Sequence, residues 1–241
     1  MAEPIIVREE LPELNDKFAR LSLRERLSYI SERWGNDVAM TSAFGYSGTL
    51  LLWYLREYLS AIDLYFIDTT YHFPETLKFV DRIEREWKLK ITRIGTRKTP
   101  AEVEELIGVE AYKRDPDACC FVHKVEPLME VLPRKKMWIH ALRRDQSPSR
   151  EKLDFVEALD DGNFKIYPLV DWTRDRCWAE IRQEGIPYHP LIDDGFPSIG
   201  CLHCTQRVGS GQHEREGRWN SFPRKLECGL HQRMESDKSG T

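Results

Sequence analysis

The feature with the clearest chemical meaning is a set of four cysteines arranged as two close pairs. Cys119 and Cys120 are adjacent, and Cys201 and Cys204 form a C-x-x-C pair much later in the chain. A disulfide between adjacent cysteines closes a small, strained ring, so another use for the first pair is favoured. Four thiolates are a full ligand set for one tetrahedral metal ion or one iron–sulfur cluster.

The spacing of these cysteines favours an iron–sulfur cluster over the other candidates. A structural zinc site normally uses two C-x-x-C pairs. Adjacent cysteines cannot both grip one small ion comfortably, but they can reach two corners of a larger cluster. Zinc, and thiols with unrelated core or redox roles, remain open alternatives when spacing alone is considered.

Two further cysteines have different surroundings. Cys177 lies on the apolar face of a predicted helix, which is typical of a buried small residue. Cys228 lies close to the end of the chain, among the basic residues Arg224, Lys225 and His231. Nearby cations lower the pKa of a thiol and raise its thiolate fraction. We therefore interpret Cys228 as a nucleophile; the alternative is an exposed cysteine without a chemical role.

Three segments offer groups that bind phosphate-like anions. The segment TSAFGYSGT follows a predicted strand and opens a predicted helix, so its backbone N–H groups and hydroxyls would face an oxyanion. LRRDQSPSR carries Arg143, Arg144 and Arg150, and REGRW carries Arg215 and Arg218. Arginine suits bidentate recognition of phosphate or sulfate. A plain strand-to-helix turn and solvated surface faces are the alternatives for these segments.

Composition limits the class of protein. The chain has 241 residues, a net charge of −4 and a hydrophobic fraction of 41%, which is typical of one globular domain. No apolar run approaches the roughly 18–20 residues that a membrane-spanning helix needs. The first residues show no secretory signal, so we expect a cytoplasmic protein with reduced cysteines. The acidic balance favours a small polyanionic ligand over nucleic acid or a membrane surface.

The elements that must position these groups alternate along the chain up to about Pro187. Ser22 and Gly35 bound the first predicted helix, and Thr173 and Gly185 bound the last one. Predicted strands cover residues 37–43, 63–68, 89–94, 137–142 and 164–170, and predicted helices cover 22–35, 48–59, 74–87, 100–108 and 173–185. This alternation predicts an α/β fold with a mainly parallel twisted sheet and helices on both faces. Ligands bind such sheets outside the carboxyl ends of the strands.

Several motifs together resemble one known family, the assimilatory sulfonucleotide reductases. These enzymes reduce adenosine 5′-phosphosulfate (APS), or its 3′-phosphorylated form (PAPS), to sulfite. The resemblance covers roughly residues 35–231, and its motifs occur in family order: TSAFGYSG, IDTTYHFPET, CCFVHKVEPL, ALRRDQSPSR, YPLVDWT, IPYHPLIDDGFPSIGCLHCT, REGRW and ECGLH. The two cysteine pairs match the branch of the family that carries a four-iron four-sulfur (4Fe-4S) cluster and mostly uses APS.

The resemblance implies a role for each matching residue. The cluster ligands would be Cys119, Cys120, Cys201 and Cys204. Lys124 would lie between the cluster and the sulfate, and Cys228 would be the nucleophile with His231 beside it. The substrate would be held by Ser42, Phe44, Gly45, Ser47, Thr69, Arg143, Arg150, Arg215 and Arg218.

The resemblance also implies a fold, a reaction and partners. The fold would be adenine nucleotide alpha hydrolase-like, with a single nucleotide-binding domain over residues 1–200. Residues 201–241 would form a C-terminal segment with cluster ligands and a mobile catalytic tail, of which residues 236–241 are predicted to be disordered. APS would be reduced to sulfite and AMP through an S-sulfocysteine, with thioredoxin or glutaredoxin as reductant. This step belongs to sulfate assimilation and cysteine biosynthesis, and the family forms homo-oligomers.

Departures from the family pattern define the alternatives. Ala141 stands where the family commonly has glycine, and the segment SFPRKL before ECGLH is less aromatic than usual. GYSGT lacks the SGGxDS pattern of the related ATP pyrophosphatases, which argues against an ATP-cleaving sulfurtransferase or adenylating enzyme. PAPS, or both nucleotides, could be the substrate. A non-catalytic iron–sulfur redox sensor is the remaining rival, and it would not need Cys228.

Overall fold

A computed structural model of the protein shows one sheet covered by helices. The structure describes residues 6, 8–159, 162–209, 211–222, 225 and 227–232, and of residues 231 and 232 only the backbone. Within these residues, six strands pair in the order β3-β2-β1-β4-β6-β5. The strands are β1 (Val38–Thr41), β2 (Asp63–Ile67), β3 (Ile91–Ile94), β4 (Met137–Ile139), β5 (Val156–Ala158) and β6 (Phe164–Ile166). All pairings are parallel except that of β5 with β6, which confirms the predicted α/β class.

The helices begin and end largely where the sequence predicts. The α-helices in the described part of the chain are α1 (Leu11–Arg20), α2 (Leu23–Trp34), α3 (Tyr46–Leu55), α4 (Pro74–Glu86), α5 (Pro100–Ile107), α6 (Pro116–Cys120), α7 (Glu126–Val131), α8 (Arg174–Glu184) and α9 (Gly229–Gln232). Ser22 caps α2 through a reciprocal capping box with Glu25, and α2 ends at Gly35. Thr173 caps α8, and Gly185 ends it in the left-handed conformation.

Side chains of the strands alternate between two apolar layers, which confirms helices on both faces. In β2, Leu64 and Phe66 join the larger core, where they meet residues of α1, α2, α3, α4 and α8. Ile67 joins a smaller cluster with Leu128 of α7 and Trp138 of β4. Because successive side chains of a strand point to opposite faces, these two clusters lie on opposite sides of the sheet.

Some elements lie outside the sequence prediction. The helix α1 and the antiparallel edge strand β5 are additions to the predicted set. The segment with Cys119 and Cys120 is helical: Asp115 caps α6, and a π-helical turn over Phe121–Val125 joins α6 to α7. A π-turn inserts a residue into the helical register and is frequent at functional sites. Here it carries Lys124 on the turn that directly follows the cysteine pair.

The chain after α8 is mostly irregular, as predicted. Short 3-10 turns, Pro190–Ile192 and Leu202–Cys204, alternate with loops, and Thr205 forms an isolated bridge with Arg218. A Cβ atom on Gly217 would collide with the Gln206 carbonyl, so this turn requires glycine. Residues 236–241, predicted to be disordered, lie outside the described residues. In the described part of the chain, no helix combines the length and the apolar character needed to cross a membrane.

Candidate active site

The candidate site is a cleft at the carboxyl ends of the central strands. Residues 41–43 after β1, Thr69 after β2 and residues 140–142 after β4 line two adjoining cavities. The strand order reverses at β1, which lies between β2 and β4. Open parallel sheets bind ligands at this kind of switch point. The cleft therefore lies where the topology alone would place a ligand.

The loop between β1 and α3 forms one wall of the cleft. Phe44 adopts a left-handed backbone with a φ of 56° and buries its ring against Phe66, at a centroid distance of 5.9 Å. The Ser42 hydroxyl accepts a hydrogen bond from the Phe44 N–H at 3.1 Å. Ser42, Gly45 and Ser47 line the cleft at the N-terminus of α3, a favourable position for an anion. Of the predicted loop residues, Phe44 contributes its side chain to the core instead.

Arg143 lies in a buried polar network that supports this loop. Its guanidinium is 0% exposed, donates to Ser47 Oγ, and contacts Asp145 Oδ1 at 2.8 Å and Glu214 Oε1 at 3.3 Å. The Tyr46 hydroxyl donates to Glu214 Oε2 at 2.6 Å. Burial alone would lower the pKa of Arg143, but the groups around it, Tyr46 and Glu214 included, raise it above its ordinary value. Arg143 thus reaches the loop through Ser47 and orders it.

Arg150, Arg215 and Arg218 line the cleft directly. Arg218 donates its Nε hydrogen to the Cys204 carbonyl at 3.2 Å and packs over the Trp219 ring at 4.5 Å. A Cβ atom at position 200 would collide with the Arg218 guanidinium, so Gly200 admits this side chain. Burial and the charge of Arg150 lower the pKa of Arg215 to about 10. The cleft therefore gathers three arginines in a protein of negative net charge, a group that attracts anions.

The paired cysteines meet on one side of the same cleft. Cys119 and Cys120 are buried in α6, and Cys201 is buried just before the turn that ends at Cys204. Thr69, one of the predicted substrate-binding residues, contacts Cys201 through Oγ1 and Sγ at 3.3 Å. Burial, followed by the charges of Cys201 and Cys204, raises the pKa of Cys119 to about 12. The two pairs thus come within electrostatic range of each other.

The four paired cysteines are the candidate ligands of a metal group. Among the residues that the structure describes, no group of three or more His, Cys, Asp or Glu side chains could hold a metal ion. A four-iron cluster spreads its ligands over a larger volume, and the donor set here consists of sulfur alone. Burial also raises the pKa of Cys204, so proton release must accompany binding of any metal group. The iron–sulfur cofactor is not confirmed and stays a prediction.

Cys228 lies at the mouth of the cleft beside Lys124. The Lys124 ammonium donates to Cys228 Sγ at 3.3 Å, and Cys228 Sγ lies 4.0 Å from Cys120 Sγ. Burial acts to lower the pKa of Lys124, but the sulfurs of Cys201, Cys228 and Cys120 raise it well above its ordinary value. The lysine therefore stays charged and lies where it would stabilise a thiolate on Cys228. The side chain of His231, predicted as its partner, lies outside the described residues.

The described residues around Cys228 make several close contacts with the rest of the chain. Gly229 begins α9, and a Cβ atom on it would lie 2.9 Å from the Cys120 Cβ atom. Lys225 forms an ion pair with Asp117 of α6. Leu230 packs against the smaller apolar cluster. These contacts hold Cys228 against the helix that carries Cys119 and Cys120.

Two carboxylates at the site were missed by the sequence interpretation. Glu214 anchors Arg143 and Tyr46, and Glu227 binds Arg150 and Arg215. Glu227 lies 77 residues from Arg150 in sequence, so no local spacing could reveal the pair. Its position directly before Cys228 was the only signal available.

The fold and the site together define an α/β protein with an arginine-lined cleft, bordered by cysteines, at the carboxyl ends of its central strands. The model of the phosphoadenosine phosphosulfate reductase domain family matches residues 37–207, well over half of the chain. The chain belongs to this family of sulfonucleotide-reducing oxidoreductases, which confirms the resemblance seen in the motifs.

Known proteins with similar sequences and structures agree with this membership. The chain is 35% identical to the adenosine 5′-phosphosulfate reductase of Halalkalibacterium halodurans over 94% of this chain and 98% of that protein. It is 39% identical to the phosphoadenosine 5′-phosphosulfate reductase of Gloeobacter violaceus, over 82% of this chain and 83% of that protein. The crystal structure of phosphoadenylyl-sulfate reductase from Candida auris, a phosphate complex, superposes with a TM-score of 0.72 at 26% identity. That superposition covers 84% of this chain and 98% of the other.

Proposed function

We propose that the protein reduces APS to sulfite and AMP through an S-sulfocysteine on Cys228, with thioredoxin as the electron donor. The observation that carries the proposal is the 3.3 Å contact between Lys124 Nζ and Cys228 Sγ, at the mouth of a cleft lined by arginines. A charged lysine favours the thiolate form of the cysteine, and the arginines suit the phosphosulfate group. A nucleophile and an anion site thus share one cavity.

The first step transfers the sulfonyl group to the enzyme. The Cys228 thiolate attacks the sulfate sulfur, an S–S bond forms, and the bond between sulfur and the bridging oxygen breaks. The electron pair of that bond leaves with the phosphate of AMP. Because two anions must approach each other, the cations Lys124, Arg215 and Arg218 would offset the repulsion and hold the group in line.

The second step needs an external thiol. A thiolate of reduced thioredoxin attacks Cys228 Sγ, sulfite leaves with the S–S electron pair, and a mixed disulfide remains. The second thiol of thioredoxin then resolves this disulfide and regenerates Cys228. The two electrons that reduce the sulfur therefore come from the donor dithiol. A nucleophile on the segment after residue 226 suits both steps, because it has to meet a nucleotide first and a protein second.

The remaining site residues would bind the nucleotide. Ser42, Gly45 and Ser47 would present their polar groups to the phosphate at the start of α3. Thr69 would lie at the boundary between the nucleotide and the cysteine cluster. Arg143 would act through Ser47, as its hydrogen bond to that hydroxyl suggests. His231 is retained as a partner of Cys228 on the basis of the family motif.

The four paired cysteines would hold a 4Fe-4S cluster: Cys119, Cys120, Cys201 and Cys204. When bound, the cluster would supply a fixed local charge that orders Lys124 and the segment of α6. Thr69 would support this set through its contact with Cys201. The Tyr112 and His203 rings stack at a centroid distance of 3.8 Å next to Cys204 and would limit the access of solvent to it.

The wider setting of the enzyme is also a proposal. We expect it to act in the cytoplasm as a homo-oligomer, in assimilatory sulfate reduction. The division into a nucleotide-binding domain over residues 1–200 and a C-terminal segment over residues 201–241 is kept in this proposal. The close approach of Gly229 to Cys120 supports the proposal that this segment is not an independent domain.

PAPS is the second candidate substrate, and the relative from Gloeobacter violaceus, named for that nucleotide, favours it. Sulfite release from APS and from PAPS, with thioredoxin and protein purified without air, separates the candidates. Faster release of sulfite from APS supports the proposal. Faster release from PAPS would instead make PAPS the substrate. Release from neither nucleotide would favour the redox sensor and contradict the proposed function.

A further inference from the structure

The carboxylate of Glu227 is hydrogen-bonded to two of the three arginines that line the cleft. Its Oε1 accepts from Arg150 Nε at 2.8 Å, and its Oε2 accepts from the Arg150 terminal nitrogen at 2.6 Å and from Arg215 at 3.2 Å. Ser149 and Ser147 also donate to Oε1, at 2.9 and 3.2 Å. The Glu227 side chain is 11% exposed. A carboxylate with this many donors is a bound anion, and here the chain itself supplies it.

The contact with Arg150 has the geometry by which arginine recognises oxyanions. Two parallel N–H donors face two oxygens of one planar group, as they do with sulfate or phosphate. The third nitrogen of Arg150 donates to Gln146 Oε1. Each nitrogen of the Arg150 guanidinium therefore already has an acceptor. The bidentate face of Arg150, formed by Nε and the adjacent terminal nitrogen, is occupied, so a substrate oxyanion that binds this face has to take the place of Glu227.

It is unfavourable for the Glu227 carboxylate and the substrate phosphosulfate to bind the same arginines at once. Like charges repel strongly in a partly buried site, where water screens them poorly. Glu227 and the phosphosulfate would compete for the same guanidinium face. One anion must leave, and Glu227 is attached to the residue that reacts.

We propose that Glu227 is a positioning residue for the reaction: its carboxylate holds Arg150 and Arg215 before substrate arrives, and the phosphosulfate displaces it. This inference rests on the proposed function. Because one anion replaces the other, Arg150 and Arg215 have an anionic partner before and after substrate binds. It also couples nucleotide binding to a shift of the segment that carries Cys228.

The neighbouring contacts allow this exchange without loss of the tail. Cys228 keeps Lys124 as a partner, and Gly229 and Leu230 keep their contacts with Cys120 and the smaller apolar cluster. The segment can therefore pivot about α9 when Glu227 is released. A pivot of this kind would bring Cys228 toward the anion that has taken the carboxylate's place.

Glu227→Gln tests the proposal, because the amide keeps the size of the side chain and removes the competing charge. APS affinity is measured by calorimetry without air in the Cys228→Ser background, in which no turnover consumes the ligand. We expect Glu227→Gln to tighten APS binding by about tenfold, since a charge-assisted competitor is lost. Glu151→Gln is the matched control: it makes the same change beside Arg150 at an exposed carboxylate and should leave the affinity unchanged.

Unchanged or weaker APS binding in Glu227→Gln would overturn the inference and leave the proposed function standing. Absence of APS and PAPS binding in the Cys228→Ser protein itself would overturn both. Glu227→Asp, which keeps the charge, should restore an affinity close to that of the parent. Hydrogen exchange gives a second readout: APS should speed exchange in the peptide that contains residues 227–230, and slower or equal exchange would contradict displacement.

Discussion

The nucleotide loop and the C-terminal tail bind to the same cleft in opposite ways. The loop is supported by Arg143, Glu214 and Tyr46, which are all buried and hydrogen-bonded to each other or to the loop. The tail is held by the ion pair of Glu227 with the cleft arginines and by the contact of Cys228 with Lys124. In the first set Arg143 is fully buried, although Tyr46 and Glu214 also border the cleft, whereas Arg150, Arg215 and Cys228 of the second set line it directly.

This difference matches two mechanical requirements of the proposed reaction. The loop has to keep one geometry through both steps, and a buried, satisfied network provides that rigidity. The tail has to exchange a nucleotide for a protein donor, so its contacts must be replaceable. Substitutions in the two regions should therefore separate into losses of folding stability and losses of chemistry.

The largest expected effect is in the tail. Cys228→Ser replaces a thiol by a hydroxyl whose pKa is far higher, so the nucleophilic anion is almost absent at neutral pH. Sulfite production should fall by roughly a thousandfold or more, while the melting temperature and APS binding stay the same. Cys177→Ala, at a cysteine buried in the main core, is the control that should retain activity. Turnover by Cys228→Ser would remove this cysteine from the mechanism.

In the loop region, Arg143→Ala should act on folding. The substitution leaves the Glu214 carboxylate buried without one of its cationic partners, which costs about 3–5 kcal/mol of unfolding free energy. Chemical denaturation would measure this loss. Arg144→Ala, at a neighbouring arginine whose side chain is 38% exposed, should cost less than about 1 kcal/mol. An Arg143→Ala protein of normal stability that fails to bind APS would make this arginine a direct substrate ligand.

The buried scaffold should also respond to acid through His189. Its Nδ1 accepts from the Leu191 N–H, so the ring carries its proton on Nε2 and donates to Thr76 Oγ1 at 2.8 Å. Burial lowers its pKa to about 4. Between about pH 6.5 and pH 4 the unfolded state binds a proton that the folded state does not. The free energy of unfolding therefore decreases as the pH is lowered through this range. By about pH 4 the loss of unfolding free energy reaches about 3 kcal/mol, and above about pH 6.5 there is no loss.

The comparison protein for this pH effect is His189→Gln, which does not titrate. The difference in unfolding free energy between wild type and variant should shrink as the pH falls through that window. A difference that stays constant from pH 7 to pH 4 would show that His189 titrates normally in the folded protein.

The smallest expected effect belongs to Gly229→Ala. The added Cβ atom would lie 2.9 Å from the Cys120 Cβ atom, so the tail must move outward by a few tenths of an ångström or more. Overpacking of this kind costs about 1–3 kcal/mol, here in docking of the tail. We expect sulfite production to fall several-fold with an unchanged melting temperature. Full activity would show that α9 does not have to approach α6 during turnover. Gly211→Ala would add a Cβ atom that meets no neighbour. It is a less informative comparison because Gly211 has a positive φ, which strains any residue with a side chain.

The parts of this fold that the sequence predicts are those with local causes. Strong apolar periods with caps, such as Ser22 and Gly35 around α2, define helices without reference to the rest of the chain. The edge strand β5 is short and is stabilised by its pairing with β6. No local sequence pattern predicts it.

The site shows the same limit. Cys119, Cys120 and Cys228 are identifiable because their residue type already restricts the chemistry. Arg143 and Arg144 are adjacent and identical in type, yet one is buried and the other exposed, which only the fold decides. Glu227 is a further case, because the carboxylate gains meaning only when the fold brings distant arginines to it.

The central claim is that sulfur is transferred to Cys228, and mapping of the adduct tests it most directly. Protein prepared without air is incubated with APS and no thiol, and intact-mass and peptide mass spectrometry follow. The account predicts one added sulfonate group per chain, on the peptide that contains Cys228, and its release as sulfite after reduced thioredoxin is added. An adduct on Cys177, or no adduct on any cysteine while sulfite still forms with thioredoxin, would contradict it.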